Sequence, residues 1–533
     1  MKQRKSSAMI RWILLCSASS LLLATAWARQ DSAGKSASQV SQAASAPGGE
    51  HGTGIVPPGV KLAQQMPPAG APRPFHFPAA ATRTLANGLR VFVVTSHAEP
   101  AIAAQLVILS AGSIQDPQGA PGIADMTASM LTQGTASRSA QQIAEAIDFI
   151  GGSLDASAEK DFTTVSLSIV KKDLDTGLGL MSDVVLHPAF QEEELARQRQ
   201  QLLSDLTVQY TDPGYLASVV FGRVVYGASP YGWPSEGTPE TVRQMDRGEL
   251  AKFHDAHYAP NQSLLAFAGD ITPEAAFAAA EKYFGAWPKA SVAAALPPAP
   301  AAVSGMRVYL VDKPDAVQTQ IRAGTLGIRR NDPDFIPVLV TNRIFGGGYN
   351  SRLNTEVRIK RGLTYGANSS FSSHRYAGAF VVSTFTRTAA TVEATQLVVR
   401  LIGQMSSGEV APRELNFARD YLAGVYPIQS ETAGQVAGRV LTVAAFGLPA
   451  DYNSTYPEMI RSVTAAQVRE MARRYLSARN LDIVLVGNSA GYRDAAKKAF
   501  PEAKFVEIPF GQLDVLAPGL EKPAPSPSAP PAH

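Results

Sequence analysis

The chain has 533 residues, 45% of them hydrophobic and 17% charged, with 48 Lys and Arg against 45 Asp and Glu for a net charge of +3. That length exceeds what one ordinary core supports, so two or more domains are expected, and the composition excludes a disordered or membrane-embedded protein. The balanced charge, without Lys/Arg runs interleaved with aromatics, gives no footing for a nucleic-acid partner.

The N-terminus reads as a targeting signal. "MKQRKSSAMIR" carries Lys2, Arg4, Lys5 and Arg11, and the apolar run "WILLCSASSLLLATAWA" ends in Ala26-Trp27-Ala28. A basic region, an apolar region and an A-x-A site predict a signal peptide over 1–28 and export to the periplasm, the mature chain starting near Arg29. The single cysteine, Cys16, falls inside that segment, and Leu15 before it is too large for a lipoprotein signal. The mature chain then has no cysteine, which removes thiol catalysis and cysteine metal sites. No later segment reaches the length of a membrane span.

Residues 29–78 are rich in Ala, Ser, Gly and Pro and predict a flexible leader. Residues 513–533 ("LDVLAPGLEKPAPSPSAPPAH") predict a Pro-rich tail of the same kind, and 293–305 an interdomain linker. Between them lie two halves, 79–292 and 306–512, that repeat each other. "LRVFVV" opens the first and "MRVYLV" the second, with Arg90 and Arg307 spaced by 217 (307 − 90 = 217). Near their ends "FHDAHYAPNQSLLAFAGD" and "MARRYLSARNLDIVLVGN" each give a helix end, a turn with Asn and an apolar strand, with Gly269 and Gly487 spaced by 218 (487 − 269 = 218). Two matches in the same order at nearly one offset argue for a duplicated domain. Strands in close succession among amphipathic helices such as "SAQQIAEAIDFIG" and "QEEELARQRQQLLSDLTVQY" predict α+β halves, each a largely antiparallel sheet backed by helices.

In the first half, "GIADMTASMLTQGT" (122–135) predicts a helix opened by Gly122, with Ile123, Met126, Met130 and Leu131 at helical spacing. Its polar stripe holds Asp125 and Ser129, and Ala128 between them has no proton-accepting atom. His254 and His257 in "KFHDAHYAP" have metal-ligand spacing, yet no carboxylate base stands beside them and Pro260 ends the helix, so a structural role is expected. In the second half, "RIFGGGYNSRLNTEVRIKRGLTYGANSSF" (343–371) contains a Gly-rich turn without the Lys-Ser/Thr of a phosphate loop. "VRIKRG" reads as a helix C-terminus, with cations favoured by the dipole and Gly362 as the terminating residue.

Over residues 80–512 the chain resembles the pitrilysin and mitochondrial-processing-peptidase family, the inverted-zincin peptidases. In active members the helix between Gly-Leu-Ala and Gly-Thr carries His-x-x-Glu-His, two Zn²⁺ ligands one turn apart and a Glu that activates water. Laid on this sequence, the His positions are Asp125 and Ser129, the Glu position is Ala128, the downstream third ligand is Asp205, and an accessory Glu is Gln198. The resemblance therefore implies a degenerate zinc motif and no metal on this chain, although Asp125 and Asp205 could hold a hard cation weakly. It also implies that Arg358 and Tyr365 stabilise the substrate carbonyl and its oxyanion, and that Tyr349 in the Gly-rich turn contacts substrate. The expected molecule is half of a clam-shell chamber, the non-catalytic subunit of an exported heterodimeric zinc metalloendopeptidase acting on unfolded peptides. Zinc would sit in a homologous His-x-x-Glu-His partner. The alternative is a peptide-binding or scaffold protein with no part in proteolysis.

Overall fold

The structure is a computed structural model that describes residues 75–291, 297–302 and 304–522. The expected signal peptide with Cys16, the leader as far as residue 74, part of the linker and the tail beyond 522 lie outside the described residues. The first half contributes β1 (Ala81–Thr84), β2 (Arg90–Thr95), β3 (Ala101–Ile108), β4 (Ser153–Ala158), β5 (Thr163–Val170) and β6 (Ser263–Gly269). Its helices are α1 (Ile123–Met130), α2 (Ala140–Phe149), α3 (Leu174–Leu186), α4 (Glu192–Gln209), α5 (Pro213–Tyr226), α6 (Pro239–Gln244), α7 (Arg247–His257) and α8 (Pro273–Phe284). The second half contributes β7 (Arg307–Asp312), β8 (Gln318–Leu326), β9 (Ala367–Ser373), β10 (Gly378–Arg387), β11 (Asp482–Gly487) and β12 (Lys504–Pro509). With them come α9 (Phe335–Phe345), α10 (Thr391–Ser407), α11 (Pro412–Ile428), α12 (Ala433–Phe446), α13 (Tyr452–Ser462), α14 (Ala465–Tyr475) and α15 (Arg493–Ala499).

The two sheets run β1-β2-β6-β3-β5-β4 and β12-β7-β11-β8-β10-β9. Five strands of each follow one order, β2-β6-β3-β5-β4 against β7-β11-β8-β10-β9, as the repeat predicts. The β2/β6 and β7/β11 pairs are parallel, and the remaining pairs of those five are antiparallel. The sixth strand breaks the symmetry: β1 joins β2 antiparallel from the N-terminal side, and β12 joins β7 parallel from the C-terminal side. The α+β reading of two duplicated halves holds.

Why β6 (SLLAFAG) and β11 (DIVLVG) are apolar without alternation follows from the packing. Every residue of both strands is buried, so each central strand needs cover on both faces. One face of the first sheet carries the half's own helices, where Leu106, Phe267, Met181 and Phe284 share a core. The other face, with Val94, Val107, Leu264 and Ala266, is covered by Ala437, Val440 and Leu441 of α12, which belongs to the second half. In return α5 of the first half lays Leu216, Val220 and Val224 on Val311, Val484 and Val486 of the second sheet. The halves exchange one helix each.

Parts of two segments expected to be flexible are packed where the structure describes them. In the leader (29–78), Phe75 packs edge-on against Tyr426 at 5.8 Å between ring centroids, and Phe77 joins the α12 cluster. In the tail, Leu513, Val515 and Leu520 are buried beside α5, and Leu513 bridges to Glu521. Both corrections have the same cause. A few large apolar side chains in a Pro- and Ala-rich stretch find a hydrophobic edge left by the exchanged helices, and their burial offsets the ordering cost.

Candidate functional site

The helix α1 is built from both ends. Gly122 enters it at φ +103°, where a Cβ would lie 2.8 Å from the Glu236 carbonyl oxygen. The amides of Gly122 and Ala124 donate to the Asp116 carboxylate at 2.8 and 2.7 Å, so Asp116 caps the helix from six residues upstream. Ile123, Met126 and Met130 are buried in the first core, with Ala128 at their side. Asp125 and Ser129 stay half-buried one turn apart on the same face, where the two histidines of an active member would stand.

Their chemistry does not suit zinc. The Ser129 hydroxyl donates to the Met126 carbonyl of its own helix at 3.0 Å, and the Ala128 side chain has no donor or acceptor atom. Burial, followed by the nearby Glu236 carboxylate, pushes the Asp125 carboxyl up to about 7. Burial likewise raises Asp116 to about 7, against its two amide bonds and the Lys160 ammonium. Lys160 is lowered to about 8 by burial, opposed by Glu236, Asp116 and Asp161, and donates to the Trp233 carbonyl oxygen. Asp205 is exposed on α4, where the Gln201 amide reaches its two oxygens at 3.2 and 3.3 Å, and Gln198 is half-buried two turns before it. Among the described residues no group of three His, Cys, Asp or Glu is placed to hold a metal ion. The residues Asp125, Ala128 and Ser129 do not make a zinc donor set, and no reaction step is assigned to a metal on this chain.

The histidine pair sits at the end of α7. The His254 Nε2 lies 2.8 Å from the Val185 carbonyl oxygen, and its ring packs on Phe190 and Tyr258. His257 packs on Phe253 at 4.4 Å. Burial lowers the pKa of both, as structural imidazoles require.

In the second half, Arg358 lies in a π-helical turn, Thr355–Lys360, that Gly362 ends at φ +59° with the Leu363 amide donating to the Val357 carbonyl at 3.0 Å. The helix-end reading of "VRIKRG" and the presence of an available cation are therefore compatible. The Arg358 guanidinium stands 5.1 Å from the Tyr349 ring centroid, which brings two of the expected substrate contacts together. Tyr349 and Tyr365 are 61% and 70% exposed, so both phenols face solvent. The Gly-rich turn is tight, as expected: the Gly346 and Gly347 amides both donate to the Asn342 carbonyl, and Arg343 Nη1 donates to the Gly347 carbonyl at 2.5 Å. Sequence reasoning missed Asp116, Lys160 and Glu236. Only the Asp-Pro turn at 116–117, a habitual cap and turn signal, pointed toward the first of them.

Two duplicated α+β halves, each a six-stranded sheet backed by helices, define the class: a metallopeptidase-like scaffold. Residues 90–224 match the family described as Insulinase (Peptidase family M16), and residues 244–422 match the Peptidase M16 inactive domain. The solved structure of a peptidase M16 inactive domain from Pseudomonas fluorescens is 30% identical, with a TM-score of 0.72, over 76% of this chain and 98% of that one. A protease from Helicobacter pylori, 19% identical with a TM-score of 0.71, shares the fold over 77% of this chain and all of its own. An uncharacterized zinc protease of Mycobacterium leprae is 27% identical over 399 residues, 74% of this chain and 89% of that protein. The chain belongs to peptidase family M16.

Proposed function

We propose that this chain is the non-catalytic subunit of an exported, periplasmic heterodimeric zinc metalloendopeptidase that degrades or processes unfolded peptides. The carrying observation is a contrast within one molecule. At the metal-helix position Ser129 is turned onto its own helix and Ala128 has no base, whereas Arg358 and Tyr365 keep their donors at the surface. The match to the inactive domain of the family supports the same reading. A homologous partner brings His-x-x-Glu-His and the zinc, and its Glu activates water. Arg358 and Tyr365 hold the scissile carbonyl and the negative charge that develops on its oxygen, with Tyr349 stacked on the guanidinium beside them. The outer strand β4 packs against α1 and exposes alternate residues, an edge on which an extended peptide can pair.

The test begins with a pull-down of the tagged chain from its native fraction, identification of the co-purifying chain and a zinc count. Arg358→Ala and Tyr365→Phe should each lower turnover by the complex by about 10²-fold, the scale of a lost oxyanion donor, with assembly intact. Unchanged turnover in both variants, or a chain that purifies without such a partner, would move the reading to a peptide-binding scaffold.

A further inference from the structure

The duplication supplies an internal reference for a second site. Arg90 and Arg307 open the equivalent strands β2 and β7. In the second half, Arg307 donates to both oxygens of fully buried Asp482 at 2.6 and 2.8 Å, its register partner on β11. It also donates to the Val224 carbonyl near the end of α5 at 3.0 Å. In the first half, the register partner of Arg90 on β6 is Leu264, so the matching position offers no carboxylate.

What covers the two positions also differs. Beside α5, the chain's own Leu513, Val515 and Leu520 fill the edge of the sheet, and Arg223 Nε donates to the Val515 carbonyl at 2.5 Å. Beside α12 the corresponding edge is covered only in part, by Phe77 and Ala80. α12 ends at Phe446 with left-handed Gly447; on the β2 face it packs against, Val94 is buried, Phe92 only half-buried and Arg90 exposed. A groove of about 520 Å³ results, lined by Phe77, Phe92, Val440, Val443 and Leu448, with Arg90 at its mouth. Arg90, Ala444 and Gly447 also line a contiguous cavity of about 310 Å³ that holds Arg375, Asn331 and Tyr376. Among the described residues no carboxylate pairs with the guanidinium of Arg90 or of Arg375; the Arg375 backbone amide donates to Asp161 at 3.0 Å and its Nη1 to the Leu109 carbonyl at 3.2 Å.

We propose that this groove docks an extended apolar segment of another peptide that carries a carboxylate, its C-terminus or an acidic side chain, against Arg90 and Arg375. The apolar wall takes side chains as the second half takes Leu513, Val515 and Leu520, and the two guanidinium groups supply the charge that Asp482 answers in the other half. Residues 29–74 of this chain are a poorer occupant, because they carry only Asp31 and Glu50 against four Lys and Arg. The site rests on the comparison of the halves and is independent of the roles of Arg358 and Tyr365.

The test is fluorescence anisotropy with the full-length chain and a labelled peptide of the sequence of residues 513–520, LDVLAPGL, with a free C-terminus. Binding should weaken at least about tenfold for Arg90→Leu, for Arg375→Ala and for an uncharged peptide with Asn for Asp and an amidated end. Leu264→Asp, which restores the counter-ion of the other half, should weaken it equally while Arg90 is retained. If that variant does not fold by circular dichroism, Arg90→Leu decides alone. Binding indifferent to Arg90 would mean that the probe only displaces the chain's own segment. That result, no binding up to about 1 mM, or binding of dodecanoate in place of the peptide would overturn the proposal.

Discussion

Replacing Asp125 by Asn reads the protonation state of the α1 carboxyl directly. In the folded chain the carboxyl is raised from 3.8 to about 7. The folded state therefore keeps a proton that the unfolded state has already released, and wild-type stability contributed by this group is present below pH 4 and lost as pH rises toward 7. Roughly three units at 1.36 kcal/mol each set a ceiling of about 4 kcal/mol on the cost of the ionised form. Asp125 keeps partial access to solvent, so a gain of about 1–2 kcal/mol at pH 8 is the expected outcome for Asp125→Asn. At pH 4 the two proteins should unfold together. Asp116 titrates in the same range and is raised in part by the Asp125 charge, so removing that charge eases its ionisation and acts in the same direction at pH 8. Urea denaturation at pH 4, 6 and 8 measures this. A loss of stability at pH 8 would refute the reasoning, because it would mean that a bound cation or an unrecognised donor holds Asp125 as a carboxylate. Added Zn²⁺ should then raise the wild-type midpoint, whereas the arrangement of Ala128 and Ser129 predicts that it does not.

Two further outcomes test the packing. Asp482→Ala leaves the partly exposed Arg307 guanidinium without its carboxylate and should cost about 1.5–3 kcal/mol, read from the same denaturation series. Truncation after Gln512 removes Leu513, Val515 and Leu520 from the α5 cluster. At about 1.5–3 kcal/mol for each buried side chain it should lower stability by at least about 4 kcal/mol, and an unchanged thermal midpoint would remove the segment from the core.

The repeated strands were legible because β2 and β7, and β6 and β11, carry the same apolar run at nearly one spacing, and tertiary burial on both faces demands such a run. The start of α1 was legible too, since Gly122 and the following apolar spacing are local signals, but the helix ends at Met130, short of the Gly-Thr at 134–135 expected to close it. What was not legible is long-range. "PGYLASVVFGRVVY" and "AGQVAGRVLTVAAF" read as ordinary helices, and nothing in their composition says that each serves the other half's sheet. The tail was misjudged because its prolines outweigh Leu513, Val515 and Leu520 in composition, while three side chains suffice once a sheet edge awaits them. At the candidate site the placing of Asp125, Ala128 and Ser129 on one helix could be read from the sequence. The charges around them could not, because Lys160 and Glu236 approach α1 only through the folding of distant loops.

The helix exchange also governs how the protein can come into being. Once β6 has been synthesised, the first sheet lacks its second cover until Ala433 and the rest of α12 follow, 164 residues later (433 − 269 = 164). At about 5–20 residues per second the face bearing Val94, Val107 and Leu264 stays unprotected for roughly 10–30 s. An emerging chain of this design must be shielded by a chaperone or kept unfolded until its last third arrives. Each half covers one face of the other's sheet, so the duplication that created two copies has since tied their burial together.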